Sequence, residues 1–226
     1  MTPPLPPLPP LPDHSVLHAD EHLLVLDKPS GMLSVPGRGE DKRDCLSARV
    51  QQRWRDALVV HRLDMSTSGI VVLARGLDNQ RKLSAAFAER KVHKQYEAVV
   101  GGEVHNPMPD NGWNLIDLPL IVDWPNRPRS KVDHEAGKPS QTRWRLHERP
   151  ADISGTTRLQ LEPVTGRSHQ LRVHLMSIGH PIVGDELYAD AATLALAPRL
   201  LLHACALSIA HPASGETLHF TCTCPF

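Results

Sequence analysis

A chain of 226 residues, 40% of them hydrophobic, can bury one substantial core and even divide it into two lobes, and its 25 basic and 25 acidic residues cancel. Its longest apolar runs, such as Ile70-Val71-Val72-Leu73-Ala74, fall far short of the roughly 20 residues of a spanning helix. The N-terminal segment lacks the charge and apolar run of a secretory leader, and four cysteines are too few for a disulfide scaffold, so a cytoplasmic, globular protein is expected.

Residues 1–12 are Met-Thr and a proline/leucine repeat, which favours polyproline II and cannot pack a core alone. A flexible tail is expected there, with the folded domain from 13 to 226. Ser15–His18 and Leu23–Asp27 read as a hairpin around Ala19-Asp20-Glu21-His22, and Lys28-Pro29-Ser30-Gly31 ends the second strand. Asp44–Arg55 is predicted as a helix capped by Asp44, with Leu46, Val50 and Trp54 at fourfold spacing. Gly69–Ala74 follows as a buried strand. Asp78 is expected to cap a second helix reaching Arg90, with Leu83, Ala86 and Phe87 inward and Arg81 and Lys82 outward.

Lys94–Val100, Leu115–Val122, Gln141–Leu146 and Arg158–Val164 supply further strands. A third helix is predicted from Ser168 to the Gly179/Pro181 stop, with Leu171, Leu175 and Ile178 as its core stripe and Arg167, Gln170 and His174 on another side. Leu200–Ala210 and Thr217–Cys222 close the chain as two strands. The pattern is α+β, with a mostly antiparallel central sheet and flanking helices.

Net charge says nothing of a polyanionic partner, but its distribution does. Positive charge gathers in the middle: six Lys/Arg against two Asp/Glu over Arg75–Lys94, and seven against four over Ile121–Arg149, while residues 1–47 carry four against seven. Such local excess either steers a phosphate backbone or forms ordinary solvated faces.

Chemistry concentrates in Val60-His61-Arg62-Leu63-Asp64-Met65-Ser66-Thr67-Ser68-Gly69, where an acid stands between a basic pair and a small-polar turn. A carboxylate held ionised and aimed can act as a nucleophile. Asp before Ser, Thr and Gly also satisfies turn donors, and spacing alone leaves both roles open for Asp64.

His61-Arg62-Leu63-Asp64 with Thr67-Ser68-Gly69 resembles the catalytic motif of the RluA family of pseudouridine synthases. Lys94-Gln95-Tyr96 and Gly166-Arg167-Ser168-His169-Gln170-Leu171-Arg172 are similar, in order, to two further family motifs. Short members are matched most closely, through Pro29–Arg38 and Asp123-Trp124-Pro125-Asn126-Arg127-Pro128. The likeness runs from about Lys28 to the C-terminal strands.

The resemblance implies the pseudouridine synthase catalytic domain with RNA-binding loops, no separate N-terminal RNA-binding module, and isomerisation of uridine in RNA. It implies Asp64 as the attacking carboxylate, at the ribose C1′ or C2′, Arg167 as its partner, and Tyr96 stacked under the uracil. Arg62 is expected to extrude the base, with His61 beside it, and Arg127, Arg129 and Lys131 to grip RNA through phosphates. It further implies no cofactor, and structured loops of tRNA and 23S rRNA as substrates.

Other readings fit less well. His203-x-Cys205 with Cys222-x-Cys224 is not a zinc-knuckle spacing, so no metal is expected. A glycoside hydrolase needs a second acid that Asp64 lacks nearby. An inert RNA-binding protein need not keep acid, tyrosine and arginine together. No heptad or apolar helix face demands association, so a monomer is expected.

Overall fold

The computed structural model describes residues 8–39, 42–105, 112–148 and 150–226. Residues 1–7 of the expected proline-rich tail lie outside the described residues. The chain divides into two compact units, 1–92 with 208–220 and 93–207 with 221–226.

In the first unit, β1 (Val16–Ala19) and β2 (Leu23–Lys28) form the expected hairpin. The Asp20 carboxylate holds its turn by accepting from the backbone N–H groups of His22 and Leu23 at 2.7 and 2.8 Å. Leu23, Leu24, Val25 and Leu26 have no exposed surface, so this strand is covered on both faces and shows a continuous apolar run instead of alternation. α1 spans Leu46–Arg53, β3 Ala57–Val59, β4 Ser68–Arg75 and α2 Leu77–Ala88. β4 pairs antiparallel with both β2 and β3, and α2 packs on β3 and β4.

Neither acidic cap forms. Cys45 and Gly76 occupy the N-cap positions of α1 and α2. Asp44 instead takes a two-pronged bond from Arg49 Nε and Nη2, both at 2.7 Å, and Asp78 lies in the first turn of α2, paired with Arg81. A guanidinium within reach competes for the carboxylate that a cap would need.

The second unit begins with β5 (His93–Gly101). The single strand expected over 115–122 is two, β6 (Asn114–Asp117) and β7 (Leu120–Val122), separated at Leu118-Pro119, where proline has no N–H for a ladder. β7 pairs with the short β8 (Ser130–Val132), which places Lys131 on a strand and not in a loop. β9 (Gln141–Leu146) and β10 (Thr156–Pro163) complete an antiparallel order β5-β10-β9-β6. α3 (Gln170–Ser177) packs on β8, β9 and β10, and α4 (Ala191–Ala195) follows.

Leu171 and Leu175 of α3 join Ala98, Leu159, Leu161 and Trp144 in one core, with Ile178 packed against it, as the predicted stripe requires. On the other side Gln170 and His174 are also buried, at 4% and 0% exposed, together with Arg172. β11 (Leu202–Ala210) carries the chain from the second unit into the first, and β12 (Thr217–Thr221) pairs with it beyond the His211–Glu216 turn.

Candidate active site

The segment 61–67 of the first unit is tied down at nearly every residue. His61 Nε2 accepts the Val72 N–H at 2.9 Å, so the ring proton of the neutral form sits on Nδ1, and the ring stacks on Phe87 at 4.2 Å. Arg62 is exposed, and Leu63 turns inward at 7% exposure. The Ser34 hydroxyl accepts the Leu63 N–H at 3.1 Å and donates to the Leu63 carbonyl at 2.7 Å, fixing that residue's peptide at both ends. Asp64, half-buried, closes the next turn with its backbone carbonyl, which accepts from the Thr67 N–H at 3.2 Å.

Beneath this turn lies Lys28, fully buried at the end of β2. Its ammonium donates to the carbonyls of Pro29, Met32 and Met65 at 2.9, 2.8 and 3.1 Å, three contacts for three N–H donors. The Met65 carbonyl also accepts from the Gly31 N–H at 2.8 Å, and the Ser30 hydroxyl donates to the Ser66 carbonyl at 2.7 Å. Gly31 has φ of 83°, a conformation open to glycine at little cost. The turn at 29–32 and the turn after Asp64 are therefore one hydrogen-bonded block with a cation inside. Sequence reasoning placed Lys28 only at a strand end; its signal was a lysine closing an otherwise apolar strand before Pro-Ser-Gly.

In the second unit, Tyr96 stands opposite Leu161 on β10, itself opposite Trp144 on β9, so the three lie across one sheet face and Tyr96 packs against the core that α3 joins. Lys94 points to the same face by strand alternation. Burial lowers its pKa below the ordinary lysine value.

Arg167 precedes α3, and a polar network holds its backbone. The Gln170 carbonyl oxygen accepts from the Arg167 N–H at 3.0 Å and from the Thr165 hydroxyl at 2.7 Å, while its amide donates to the Gln141 carbonyl and the Thr142 hydroxyl at 2.9 and 3.0 Å. His174 Nε2–H donates to the Leu118 carbonyl at 3.0 Å, so in the neutral ring Nδ1 accepts from the Thr142 hydroxyl at 2.9 Å. This fixes a neutral imidazole, and burial pushes its pKa below the ordinary 6.5 against the opposing pull of the Leu118 carbonyl.

His169, with φ of 54°, meets the Tyr188 hydroxyl through Nδ1 at 2.7 Å. That hydroxyl also accepts the Ser130 N–H at 2.7 Å, and its own proton can go to His169 Nδ1. Tyr188 thereby links β8, where Lys131 lies, to the start of α3. Arg172 grips Asp185 in a buried two-pronged pair at 2.8 and 2.6 Å. Gln170, His174 and Tyr188 were not foreseen as site supports, because the partners that bury them, Gln141, Thr142, Leu118, Ser130 and His169, are distant in sequence.

The predicted residues thus fall into two groups. His61, Arg62 and Asp64 share one loop of the first unit. Tyr96, Arg167, Arg127, Arg129 and Lys131 belong to the second.

Two antiparallel α+β units bearing three ordered motifs define an RNA-modifying enzyme of the pseudouridine synthase class. Residues 22–177 match the RNA pseudouridylate synthase family, and the chain belongs to that family. It is 50% identical over 211 residues to the dual-specificity RNA pseudouridine synthase RluA of Escherichia coli K12, covering 93% of each chain. It is 52% identical over 205 residues to the Salmonella typhimurium protein of the same name, covering 91% of this chain and 90% of the other. Among solved structures it resembles human RNA pseudouridylate synthase domain containing 1, with a TM-score of 0.75 and 26% identity over 94% of this chain and 84% of that one. Human RNA pseudouridylate synthase domain containing 4 is also similar, with a TM-score of 0.68 and 26% identity over 94% and 89%. The chain is an enzyme that isomerises uridine to pseudouridine in RNA.

Replacing Lys28 by methionine keeps the length of the side chain but leaves three carbonyls without their charged donor. Lys28→Met is expected to lower stability by about 3 kcal/mol and to reduce turnover more than RNA affinity. Denaturant melts with single-turnover rates check this, and unchanged turnover in a folded variant would refute the positioning role.

The His174 pKa is lower folded than unfolded, so the unfolded chain takes up the proton first as pH falls. Its contribution to stability is complete above 6.5 and is lost as pH drops from there through the depressed folded value. His174→Gln should therefore show a shallower fall in melting temperature than the parent between about pH 7.5 and about pH 5.5.

Proposed function

We propose that Asp64 is the carboxylate that engages the ribose of the target uridine, at C1′ by addition or at C2′ by proton removal. Arg167 acts with it as a charged two-pronged donor, and Tyr96 stacks on the uracil and assists proton removal from C5. The observation that carries this reading is the block around Lys28. A loop built only to connect strands does not need a buried ammonium, two serine hydroxyls and a glycine to fix the residues beside one acid.

Arg62, exposed between the inward Leu63 and the anchored His61, is assigned to extrude the uridine and fill the gap it leaves. The contacts of His61 to Val72 and Phe87 make it a strut for Arg62, and direct RNA contact passes to Arg62 itself. Arg127, Arg129 and Lys131, all exposed, take phosphates. Lys131 pairs with Asp133 at 3.6 Å, a surface pair weak enough to exchange for a phosphate.

For substrates, we favour a tRNA anticodon stem-loop, at uridine 32, and a 23S rRNA loop, at uridine 746. Relatives near 50% identity bear the dual-specificity name, which supports this choice. The enzyme is taken to act in the cytoplasm as a monomer without a cofactor; among the described residues no helix is long and apolar enough to cross a membrane.

Asp64→Ala should reduce pseudouridine formation by at least about a thousandfold, the loss of a reactive group and not of one hydrogen bond, while binding RNA almost as the parent does. Retained turnover in that variant defeats the assignment. Pseudouridine maps of total RNA from a strain lacking the protein should show loss at both the tRNA and the 23S rRNA positions, and loss at neither sinks the dual-substrate proposal.

A further inference from the structure

We infer that Trp124, backed by Arg127, is a stacking platform for an unpaired base of the substrate RNA other than the target uridine. The inference rests on the enzymatic reading above and adds a residue that none of the three motifs contains.

Aromatic residues are scarce in this chain, nine in all, and most are put to use inside it. Among the described residues, Trp124 is the one aromatic among the exposed large hydrophobics, with 67% of its surface open to solvent. A mobile loop could bring such a ring there by accident, but this turn is rigid. Its Asp123–Arg129 segment is closed by Asp123 N–H to the Arg129 carbonyl at 2.9 Å, Asn126 N–H to the Asp123 carbonyl at 3.0 Å and Arg129 N–H to the Asn126 carbonyl at 3.1 Å. The Asn126 amide adds a bond to the Asp123 carboxylate at 2.9 Å.

Arg127 completes the device. Its Nε donates to the Trp124 carbonyl at 2.9 Å, and its guanidinium carbon lies 4.0 Å from the centre of the indole ring. The cation is held against the π system instead of swinging in solvent, which fixes the ring's orientation. Arg129 and Lys131, exposed on the same hairpin, supply positive charge for a phosphate backbone. A fixed aromatic face on a hairpin that also carries cations is the composition that recognises unpaired nucleotides, since every base has a π face and every nucleotide a phosphate. An apolar protein partner would meet a guanidinium packed on the ring and two further exposed cations on the hairpin, a poor match for a hydrophobic anchor.

The test uses the full chain with Trp124 changed to Ala, Phe or Leu and a stem-loop RNA carrying uridine in its loop. Kd is measured at several salt concentrations, and KM and kcat from release of tritium at uracil C5. Trp124→Ala should raise Kd and KM about tenfold with kcat within about twofold, and should leave the salt slope unchanged because no phosphate contact is lost. Trp124→Phe should restore most of the affinity, whereas Trp124→Leu, apolar without a π face, should behave like Ala.

Equal Kd for Trp124→Ala and the parent overturns the inference. So does recovery by Leu to the level of Phe, which would mark plain apolar burial or a protein-facing role, or a loss confined to kcat. If the parent protein forms no pseudouridine while these affinities follow the expected order, the enzymatic reading fails and the platform stands.

Discussion

The ammonium of Lys28 is the constraint on which the first unit depends. A charge with no exposed surface is costly unless its donors are met, and here they are met by carbonyls of two turns that are separated in sequence. The cost of burial is thereby converted into geometry, because the ammonium is stable only when Pro29, Met32 and Met65 all present their oxygens to it. Asp64, one residue before Met65, inherits that precision. Hydrophobic packing alone could bury Leu63 yet leave the following turn several ways to run. A cation with three required acceptors leaves few.

The second unit reaches the same end with neutral groups. Gln170 reads both the Arg167 backbone and the β9 edge, and the chain of bonds from Gln170 through Thr142 to His174 ends on the Leu118 carbonyl next to Pro119. The Leu118 carbonyl can only accept, so in the neutral imidazole the ring proton sits on Nε2 and Nδ1 takes the Thr142 hydroxyl proton. Burial of the ring in this network is what holds the His174 pKa below the ordinary imidazole value, against the opposing pull of the Leu118 carbonyl. Asp185 does similar work by charge, uniting Arg172 with the backbone of Leu187 and Tyr188, and Tyr188 carries that order to Ser130 and His169.

What could be read in the sequence was what local chemistry encodes. Apolar runs such as Leu23–Leu26 and Ile70–Ala74 announced buried strands, and the His-Arg-Leu-Asp, Lys-x-Tyr and Gly-Arg-x-His-Gln segments announced a family. Short strands escaped notice: β3 and β8 have three residues each and owe their existence to β4 and β7. The caps at Asp44 and Asp78 failed because arginines within five residues claimed the carboxylates. Gln170 and His174 lie off the apolar stripe of α3, and nothing local says what they meet. Their burial depends on Thr142 and Gln141, almost thirty residues earlier, and no local pattern carries that information. Lys28 was missed for the same reason, since its third carbonyl is 37 residues away.

A protein with balanced charge that acts on a polyanion must separate affinity from net charge. The neutral total limits long-range attraction to RNA as a class, so contact has to be earned locally, by cations set on fixed turns. Under the proposed phosphate-binding role, the β7–β8 hairpin follows that logic. Arg127, Arg129 and Lys131 project from a turn closed by its own backbone bonds and tied through Ser130 to Tyr188. Phosphate contacts of this kind set register without reading sequence, so the choice of one uridine must come from groups that sense bases and loop shape. Rigidity is what lets so few residues suffice. Phosphate contact tolerates a displacement of about an ångström, whereas the attack of a carboxylate on a sugar, the task proposed for Asp64, does not.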